Sequence, residues 1–375
     1  MLAGLSGSLL SHYFAEHLLF AEFAGRLGED SAERAHKALG LWWRDQGSHL
    51  GPASSLRALT EQAAAPLANL LGFELQRDNS LVFNATRIPM VIGPWDDSLD
   101  SLWRNALRAG IAAQAPWCVC TNGHVLRIVD TARPYSRAYV QFDVERILQN
   151  SRAFAVMWGV LRAEAFRTAR GERTLVHQIA QSSALHGAAV SRSLRLGVIG
   201  AVQHLLSGLL ETKLRPGAVR AQGVDLWAGL DEALTLAYRI LFLMFAEARG
   251  LVPNWHPIYR DHYTIESLRD EAERSGKARG LWEALQAISR LAHRGCRAGT
   301  LIVPAFNGRL FSPAHAPLAE SCAIDDERAR AALLALSTGA AGPKSARIRI
   351  DYRDLGVEQL GAVYESVLEY EPALI

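Results

Sequence analysis

Cysteine and long apolar runs are both scarce in this sequence. Four cysteines in 375 residues do not make a disulfide framework, and the Cys118-Val119-Cys120 run has neither the spacing of a metal motif nor a second pair to complete one. The strongest apolar run, Ile240 to Phe245, is far shorter than a membrane span, and no cationic region precedes the apolar residues at the N-terminus. We therefore expect a cytoplasmic protein that makes no membrane contact and keeps the two thiols buried in a strand rather than bound to zinc.

Charge is nearly balanced overall but not along the chain. The formal net charge is +2, yet residues 151–220 hold ten lysines and arginines against three acidic residues. A concentration of arginine is typical of a phosphate-binding surface, although a solvated basic helix face gives the same composition. Our hypothesis is that this segment contacts duplex DNA through Arg162, Arg167, Arg170, Arg173, Arg192 and Arg195.

The pattern of apolar residues divides the chain into three segments. Residues 1–70 show helical spacing and form an N-terminal helical segment. Residues 71–150 switch to short apolar runs interrupted by one amphipathic helix, which predicts a small α/β module. Residues 151–375 return to helical spacing, most clearly over 231–249, where apolar residues on every face predict a helix buried inside a helical domain. The predicted fold class is α+β and mostly helical, with the α/β module followed by the helical domain.

A hairpin is the clearest local element of the α/β module. The runs Trp117 to Thr121 and His124 to Val129 are rich in β-branched and aromatic residues, and Asn122-Gly123 between them tolerates the positive φ angles of a two-residue turn. The sequence therefore predicts two antiparallel strands joined by a tight Asn-Gly turn. Any mixed sheet needs such turns, so the hairpin alone predicts structure and not function.

Five segments, taken in order, carry a resemblance to a known family. They read TNGHVLRIVD from Thr121, FDVERIL from Phe142, YRILFLMFAEARGLVP from Tyr238, FNGRLF from Phe306 and IDYRDLGVEQLGAVYESVLEYEP from Ile350. Their order resembles the N-terminal half of Eco57I-type, or type IIG-like, restriction-modification proteins, which are adenine-specific DNA methyltransferases with relatives in phage defence. The resemblance covers the chain from about residue 65 to the end, and the last segment is its most specific part.

The resemblance implies a fold, partners and a cofactor. It implies that the Thr121-Asn122-Gly123 hairpin closes a restriction-nuclease-like sheet, and that the helix around Tyr364-Glu365-Ser366 leads into a methyltransferase domain. Duplex DNA and a methyltransferase domain or subunit are the implied partners. S-adenosylmethionine is the cofactor expected for that domain, which would lie outside these residues, and no cofactor is expected in this chain.

A nuclease of that fold needs an acidic residue on one strand and an acid-x-lysine sequence on the next. The carboxylates hold a divalent metal near the scissile phosphate, and the lysine positions the attacking water. The place expected for this motif, just before the amphipathic helix, has Ile92 and Gly93 near the acid's position and Pro94 and Trp95 near the lysine's. No lysine occurs between residues 71 and 150. We therefore expect a degenerate nuclease-like module.

Three aspartates leave a rival interpretation open. Asp96, Asp97 and Asp100 lie within five residues and could be metal ligands of a nuclease with a relocated active site. Acidic residues at this place also suit the N-cap and the positive dipole end of the helix that follows. The capping interpretation is favoured, because a nuclease that organises water with arginine alone would be unusual, and no metal site is predicted.

Methyl transfer is not supported by the residues of this chain. An adenine methyltransferase needs a glycine-bearing loop for its cofactor and an Asn/Asp-Pro-Pro-Tyr/Phe tetrapeptide for the flipped base, and the sequence contains no Pro-Pro pair. The predicted function is that of a non-catalytic N-terminal region that scaffolds a methyltransferase domain and binds DNA. Two alternatives stay open: a metal-dependent DNA nuclease with a relocated active site, and a pure protein-docking scaffold with no DNA contact.

Three further segments carry specific predictions. Glu247 and Arg249 end the buried helix, and they either contact another domain or DNA or find local partners. The FNGRLF run predicts a structural clamp in which Arg309 is exposed. The stretch 355–370 predicts a docking helix whose apolar face is formed by Leu360, Val363, Tyr364 and Val367.

Overall fold

A computed structural model of the chain describes residues 2–45, 49–167, 173–214, 226–274, 279–306, 308–340, 347–355, 361–363 and 365. Its contacts divide the chain into two compact units, Met1–Gly187 and Ala188–Ile375. Each unit has an apolar core of its own. The predicted α+β and mostly helical fold class is confirmed.

The first unit combines a sheet with helices. Its helices are α1 (Leu19–Glu22), α2 (Glu29–Asp45), α3 (Leu56–Leu59), α4 (Ala65–Leu70), α5 (Trp103–Ala112), α6 (Val144–Leu148), α7 (Ser151–Leu161) and the first part of α8 (Leu175–Leu214). Its strands are β1 (Leu5–Gly7), β2 (Glu74–Leu75), β3 (Ser80–Phe83), β4 (Thr86–Ile92), β5 (Trp117–Thr121), β6 (Val125–Asp130) and β7 (Tyr139–Asp143).

The seven strands form one mixed sheet in the order β1-β7-β6-β5-β4-β3-β2. All neighbouring strands are antiparallel except β4 and β5, which are parallel. A parallel pair needs a crossover connection, and α5 supplies it. β4 therefore leads through a loop into the amphipathic helix α5. The end of β4 and this loop are the place expected for a nuclease motif.

The predicted hairpin is confirmed, but its turn is longer than expected. β5 and β6 are antiparallel, and the pairing ends with Thr121 opposite Leu126. The connection runs over Asn122, Gly123 and His124, and among these only Gly123 has a positive φ, +100°. The prediction of a two-residue turn is wrong because the Asn122 side chain closes the loop, with Oδ1 accepting the first backbone N–H of β6 at 3.0 Å.

Alternate residues of the central strands face two apolar layers. On one face, Val119 and Val140 join the main core, whose buried residues run from Leu2 to Ala180. On the other face, Cys118 and Cys120 pack against α5. A hydrogen bond with Cys120 and burial raise the pKa of the Cys118 thiol, and both cysteines are buried, as predicted. Residues from the predicted segments 1–70 and 71–150 thus share one core with residues after 150.

The first 70 residues are mostly helical, as predicted, but Leu5–Gly7 form a strand. β1 pairs antiparallel with β7 and adds an edge to the sheet. Gly7 has φ +118°, and a Cβ at this position would lie 2.2 Å from the carbonyl O of Tyr139. A strand of three residues is too short to show the alternating pattern of apolar and polar residues that predicts a strand. Its partner β7 lies far along the chain, so no local signal marks the pairing either.

One described helix is long and apolar enough to span a membrane. By length and composition alone, Leu175–Glu211 of α8 could cross a bilayer, and 39% of its most apolar window is buried. A core helix of a soluble protein passes the same test, so this observation is weak evidence. Polar residues interrupt the apolar ones of this segment, so the sequence shows no long apolar run there. The absence of membrane contact stays a prediction.

The second unit is largely helical. Besides the rest of α8, its helices are α9 (Leu226–Ala248), α10 (Pro257–His262), α11 (Ile265–Arg274), α12 (Leu281–Arg294), α13 (Pro317–Ser321) and α14 (Asp326–Ser337). Its strands form two small antiparallel sheets, β8 (Cys296–Ala298) with β9 (Leu301–Val303), and β10 (Thr338–Ala340) with β11 (Arg347–Arg349).

Carboxylates connect the helices of the second unit by capping helices other than their own. Glu232 of α9 accepts two backbone N–H groups at the start of α13, at 3.0 and 2.9 Å. Glu247 of α9 accepts two at the start of α11, at 2.6 and 3.0 Å. Asp326 of α14 accepts two at the start of α12, at 2.7 and 3.0 Å. Each carboxylate satisfies N–H groups that have no partner inside their own helix and faces the positive end of that helix's dipole.

Candidate functional site

The strand that leads into α5 carries no acid-x-lysine sequence. The one ionisable side chain of β4 is Arg87, whose guanidinium pairs with Asp78 and whose Nε donates to Ser80 Oγ at 3.0 Å. Ile92 ends β4, and Gly93 begins the loop after it. Residues 92–95, where the family has its acid and lysine, therefore lie at the end of β4 and in the loop after it, and none of them is ionisable.

The three aspartates of this loop do not cap α5. The N-cap residue of α5 is Leu102, and no side chain caps the helix there, so the capping interpretation is wrong. Asp100 instead accepts a hydrogen bond from the buried Arg127 at 2.8 Å. Asp96 and Asp97 are exposed. Among the described residues, no three His, Cys, Asp or Glu side chains are grouped so that they could hold a metal ion.

The TNG hairpin fixes the loop that follows β4. Asn122 Nδ2 donates to the carbonyl oxygens of Trp95 and Asp97, both at 3.1 Å. The ring of Trp95 lies against His124 with 4.6 Å between centroids, and burial lowers the pKa of His124. A Cβ on Gly123 would meet the Trp95 ring at 3.1 Å. The hairpin therefore acts as a structural clamp on the loop that follows β4.

Three arginines come together in the first unit from distant parts of the sequence. Arg26 lies in a turn between Gly25 and Gly28, whose φ angles are +71° and +75°. Arg162 is the C-cap residue of α7. Arg173 lies just before α8. Arg26, Arg162 and Arg173 are called the arginine cluster from here on.

Hydrogen bonds join the arginine cluster in one chain. Arg162 Nη2 donates to the carbonyl O of Arg26 at 2.6 Å, and Arg26 Nη2 donates to Gln178 Oε1 at 2.9 Å. Gln178 Nε2 donates to the carbonyl O of Arg173 at 2.7 Å, and Arg173 Nη1 donates to Gln181 Oε1 at 2.9 Å. Neutral oxygens therefore orient the three guanidinium groups, and within the described residues none of the three forms an ion pair.

The surroundings of the arginine cluster favour an anionic ligand. Burial lowers the pKa of Arg162, and its buried Nε has no hydrogen-bond partner among the described residues. Its guanidinium fills the space beside Gly28, where a Cβ would lie 2.7 Å from Nη1. Arg26 and Arg173 are exposed. Oriented guanidinium groups that lack a carboxylate partner bind phosphate oxygens well, since charge-assisted hydrogen bonds are the strong ones.

Of the six arginines predicted to contact DNA, Arg162 and Arg173 belong to the arginine cluster. Arg167 is exposed and makes a loose ion pair, with its Nη1 3.6 Å from a carboxylate oxygen of Glu164. Arg170 lies outside the described residues. The segment that the sequence analysis singled out therefore contributes part of the cluster but not all of it.

The other two predicted arginines belong to the second unit. Arg192 and Arg195 lie on α8 beyond residue 187, and both are exposed.

Arg26 was not predicted, because it lies in a segment of balanced charge that was predicted to be helical. The signal that could have found it is the pair of glycines around it, Gly25 and Gly28, since positive φ angles on both sides of an arginine indicate a tight turn.

Two segments that carry the family resemblance meet at α9. Arg239, buried in α9, donates from Nε to the carbonyl O of Leu310 at 2.8 Å and from Nη2 to that of Ser312 at 2.9 Å. The ring of Phe242 lies against Phe306 with 5.3 Å between centroids. The FNGRLF run is thus held against α9 as a structural clamp, as predicted.

The polar residues around these segments have local partners. Glu247 caps α11, and Arg249 Nη2 donates to the carbonyl O of Leu355 at 3.1 Å. Of the two alternatives for this helix end, contact with another domain or DNA and contact with local partners, the structure shows the second. Arg309 is exposed, as predicted, and Asn307 lies outside the described residues.

Most of the predicted docking helix, 355–370, lies outside the described residues, including Leu360, Tyr364 and Val367. Val363 is described, and it is 5% exposed and packs in the core of the second unit. The docking of this helix on a methyltransferase domain stays a prediction.

Comparison with known proteins identifies no relative of this chain. No protein-family model, curated protein or solved structure matches the chain. The resemblance carried by the five sequence segments therefore stays an expectation.

Proposed function

We propose that this chain is the non-catalytic N-terminal region of an adenine-specific DNA methyltransferase or restriction-modification protein, and that the arginine cluster holds it on duplex DNA. In this proposal the sheet of the first unit is a degenerate nuclease-like module. The second unit scaffolds a cytoplasmic methyltransferase domain or subunit that uses S-adenosylmethionine. The resemblance of the five sequence segments supports the identity of the system.

The arginine cluster is the observation that carries the DNA contact. Its guanidinium groups are oriented by carbonyl and amide oxygens, and Arg26 and Arg173 remain exposed. Within the described part of the chain neither arginine forms an ion pair that a phosphate would have to break, and the phosphate meets donors that are already ordered. Phosphate contacts fix position without reading bases, so the binding should show no sequence preference.

The salt dependence of duplex binding tests this proposal. Titration of a labelled duplex, followed by fluorescence anisotropy over a range of salt concentrations, gives the slope of log affinity against log salt. Each phosphate contact contributes about 0.9 to that slope, so the double variant Arg26→Ala/Arg173→Ala should lower it by about 2. The fold should persist, because exposed arginines contribute little to stability.

A matched double variant separates this site from general charge loss. Arg57→Ala/Arg146→Ala also removes two exposed arginines of the first unit, but each of these is paired, with Glu61 at 2.8 Å and with Asp143 at 3.7 Å. It should leave the slope nearly unchanged. Failure of the unmodified chain to bind duplex at low salt, or equal slopes for the two double variants, would contradict the DNA contact and favour the pure docking scaffold.

A further inference from the structure

A groove of about 800 Å³ lies beside α2 in the first unit. Its wall combines apolar and polar side chains: Leu41, Trp43 and Leu148 are apolar, Lys37 and Arg44 are cationic, and His36 completes the lining. No carboxylate belongs to the described lining. The groove is distinct from the arginine cluster, with which it shares no residue.

The basic residues follow one face of the helix. Lys37, Leu41 and Arg44 are spaced four and three residues apart, so they lie on the same side of α2. Leu41 is 63% exposed and lies between the two cations on this face, so it leaves an apolar surface open to solvent beside them. Lys37 pairs with Glu33 at 2.7 Å, but both side chains are more than 70% exposed, at 73% and 78%. Such a surface pair is weak, so an anion can displace Glu33 from Lys37.

We propose that this groove binds a single strand of nucleic acid, with a base stacked on Trp43 and phosphates against Lys37 and Arg44. Proteins hold single strands by this combination of aromatic surface and cationic groove. The two cations are seven residues apart, or about 10 Å along the helix, which is too far for the phosphate of a mononucleotide to meet both. A duplex does not fit the same chemistry, because the faces of its bases are stacked and out of reach of an indole. The inference goes beyond duplex contact by the arginine cluster and does not rest on it.

Anisotropy with a labelled oligothymidylate of about fifteen nucleotides tests the proposal. Trp43→Leu should weaken binding about tenfold, because stacking on one aromatic side chain contributes on that order. Since Trp43 also contacts the core, Leu41→Glu is the second variant. It changes an exposed position, so the fold should persist, which circular dichroism checks. It should weaken binding at least as much as Trp43→Leu by placing an anion in the groove. The matched control is Trp255→Leu, since Trp255 is 70% exposed in the second unit, and its removal should leave the affinity unchanged.

A strand of the same length without bases separates stacking from charge, and it should bind at least about tenfold more weakly than the oligothymidylate. Equal binding of the two strands, unchanged affinity in the Leu41→Glu variant, or equally effective displacement by polyglutamate would overturn the proposal. A chain that binds duplex but not oligothymidylate would contradict this inference and leave the proposed function intact. The reverse result would contradict the proposed function alone.

Discussion

Removal of the carboxylate of Glu247 should change how the stability of the second unit depends on pH. Glu247 is 9% exposed and accepts two backbone N–H groups of α11 at 2.6 and 3.0 Å. Burial raises its pKa from an ordinary value of 4.5 to about 7, because removal from water costs the ionised form more than the two hydrogen bonds return.

The sign of the effect follows from proton binding. Between pH 4.5 and about 7 the folded chain keeps a proton on Glu247 that the unfolded chain has released. The stabilisation is therefore fully present below pH 4.5 and is lost as the pH rises through about 7. At about 1.4 kcal/mol per pH unit, the free energy of unfolding falls by roughly 3 kcal/mol across this range. Glu247→Gln cannot ionise, so this part of the pH dependence should disappear.

Urea unfolding of the full chain, followed by circular dichroism from about pH 5 to about pH 8, measures the change. Over this range the stability of Glu247→Gln relative to the unmodified chain should rise with pH by roughly 2.5 kcal/mol, because part of the full difference has already appeared at pH 5. Glu271→Gln removes an exposed carboxylate from α11 and should show no such rise. Parallel pH curves for Glu247→Gln and the unmodified chain would refute the reasoning.

Three other outcomes follow from single contacts. Gly28→Ala should lower the free energy of unfolding by about 1–2 kcal/mol because of its left-handed backbone. It should also weaken duplex binding, because the new Cβ would displace the Arg162 guanidinium, which lies 2.7 Å away. Gly25→Ala should show the backbone cost alone, because nothing lies within 4 Å of its Cβ position. Unfolding and anisotropy titrations check this pair, and equal DNA affinities would contradict it. Arg239→Met should lower the free energy of unfolding by about 3 kcal/mol, since two carbonyl groups lose a charged donor, and a urea midpoint equal to that of the unmodified chain would count against this. The purified chain with magnesium or manganese should leave plasmid DNA intact on a gel, because β4 has no acid-x-lysine sequence, and cutting that Asp96→Ala abolishes would revive the nuclease alternative.

The elements that the sequence predicted well have local signals. The β5–β6 hairpin was found because β-branched runs flank an Asn-Gly pair, and α9 because apolar residues repeat at helical spacing over many turns. Burial of the two strand thiols was expected because Cys118 and Cys120 lie in a strand and lack the spacing of a metal motif. Within the hairpin, the turn length was wrong, because the Asn122 side chain competes with the backbone for the hydrogen bonds that close the loop.

The features that the sequence did not predict depend on contacts between distant residues. Glu247 caps a helix that begins many residues later, so no capping pattern marks it locally. Asp100 was expected to cap the next helix, but the buried Arg127 of β6 competes for its carboxylate. Arg26 joins Arg162 only through the packing of the first unit. Charge counting along the sequence found the basic segment, but it could not show which of its arginines meet.

Hydrogen–deuterium exchange of the full chain with and without duplex DNA tests the central claim most directly, because it shows where the DNA lies. If the arginine cluster holds the duplex, then the backbone of residues 23–29 and of 173–181, which carry Arg26, Arg173 and their glutamine partners, should exchange more slowly in the complex. α5 carries two exposed arginines outside the cluster, Arg104 and Arg108, and should exchange at the same rate in both states. Protection of α5 with no change at residues 23–29 and 173–181 would contradict the account.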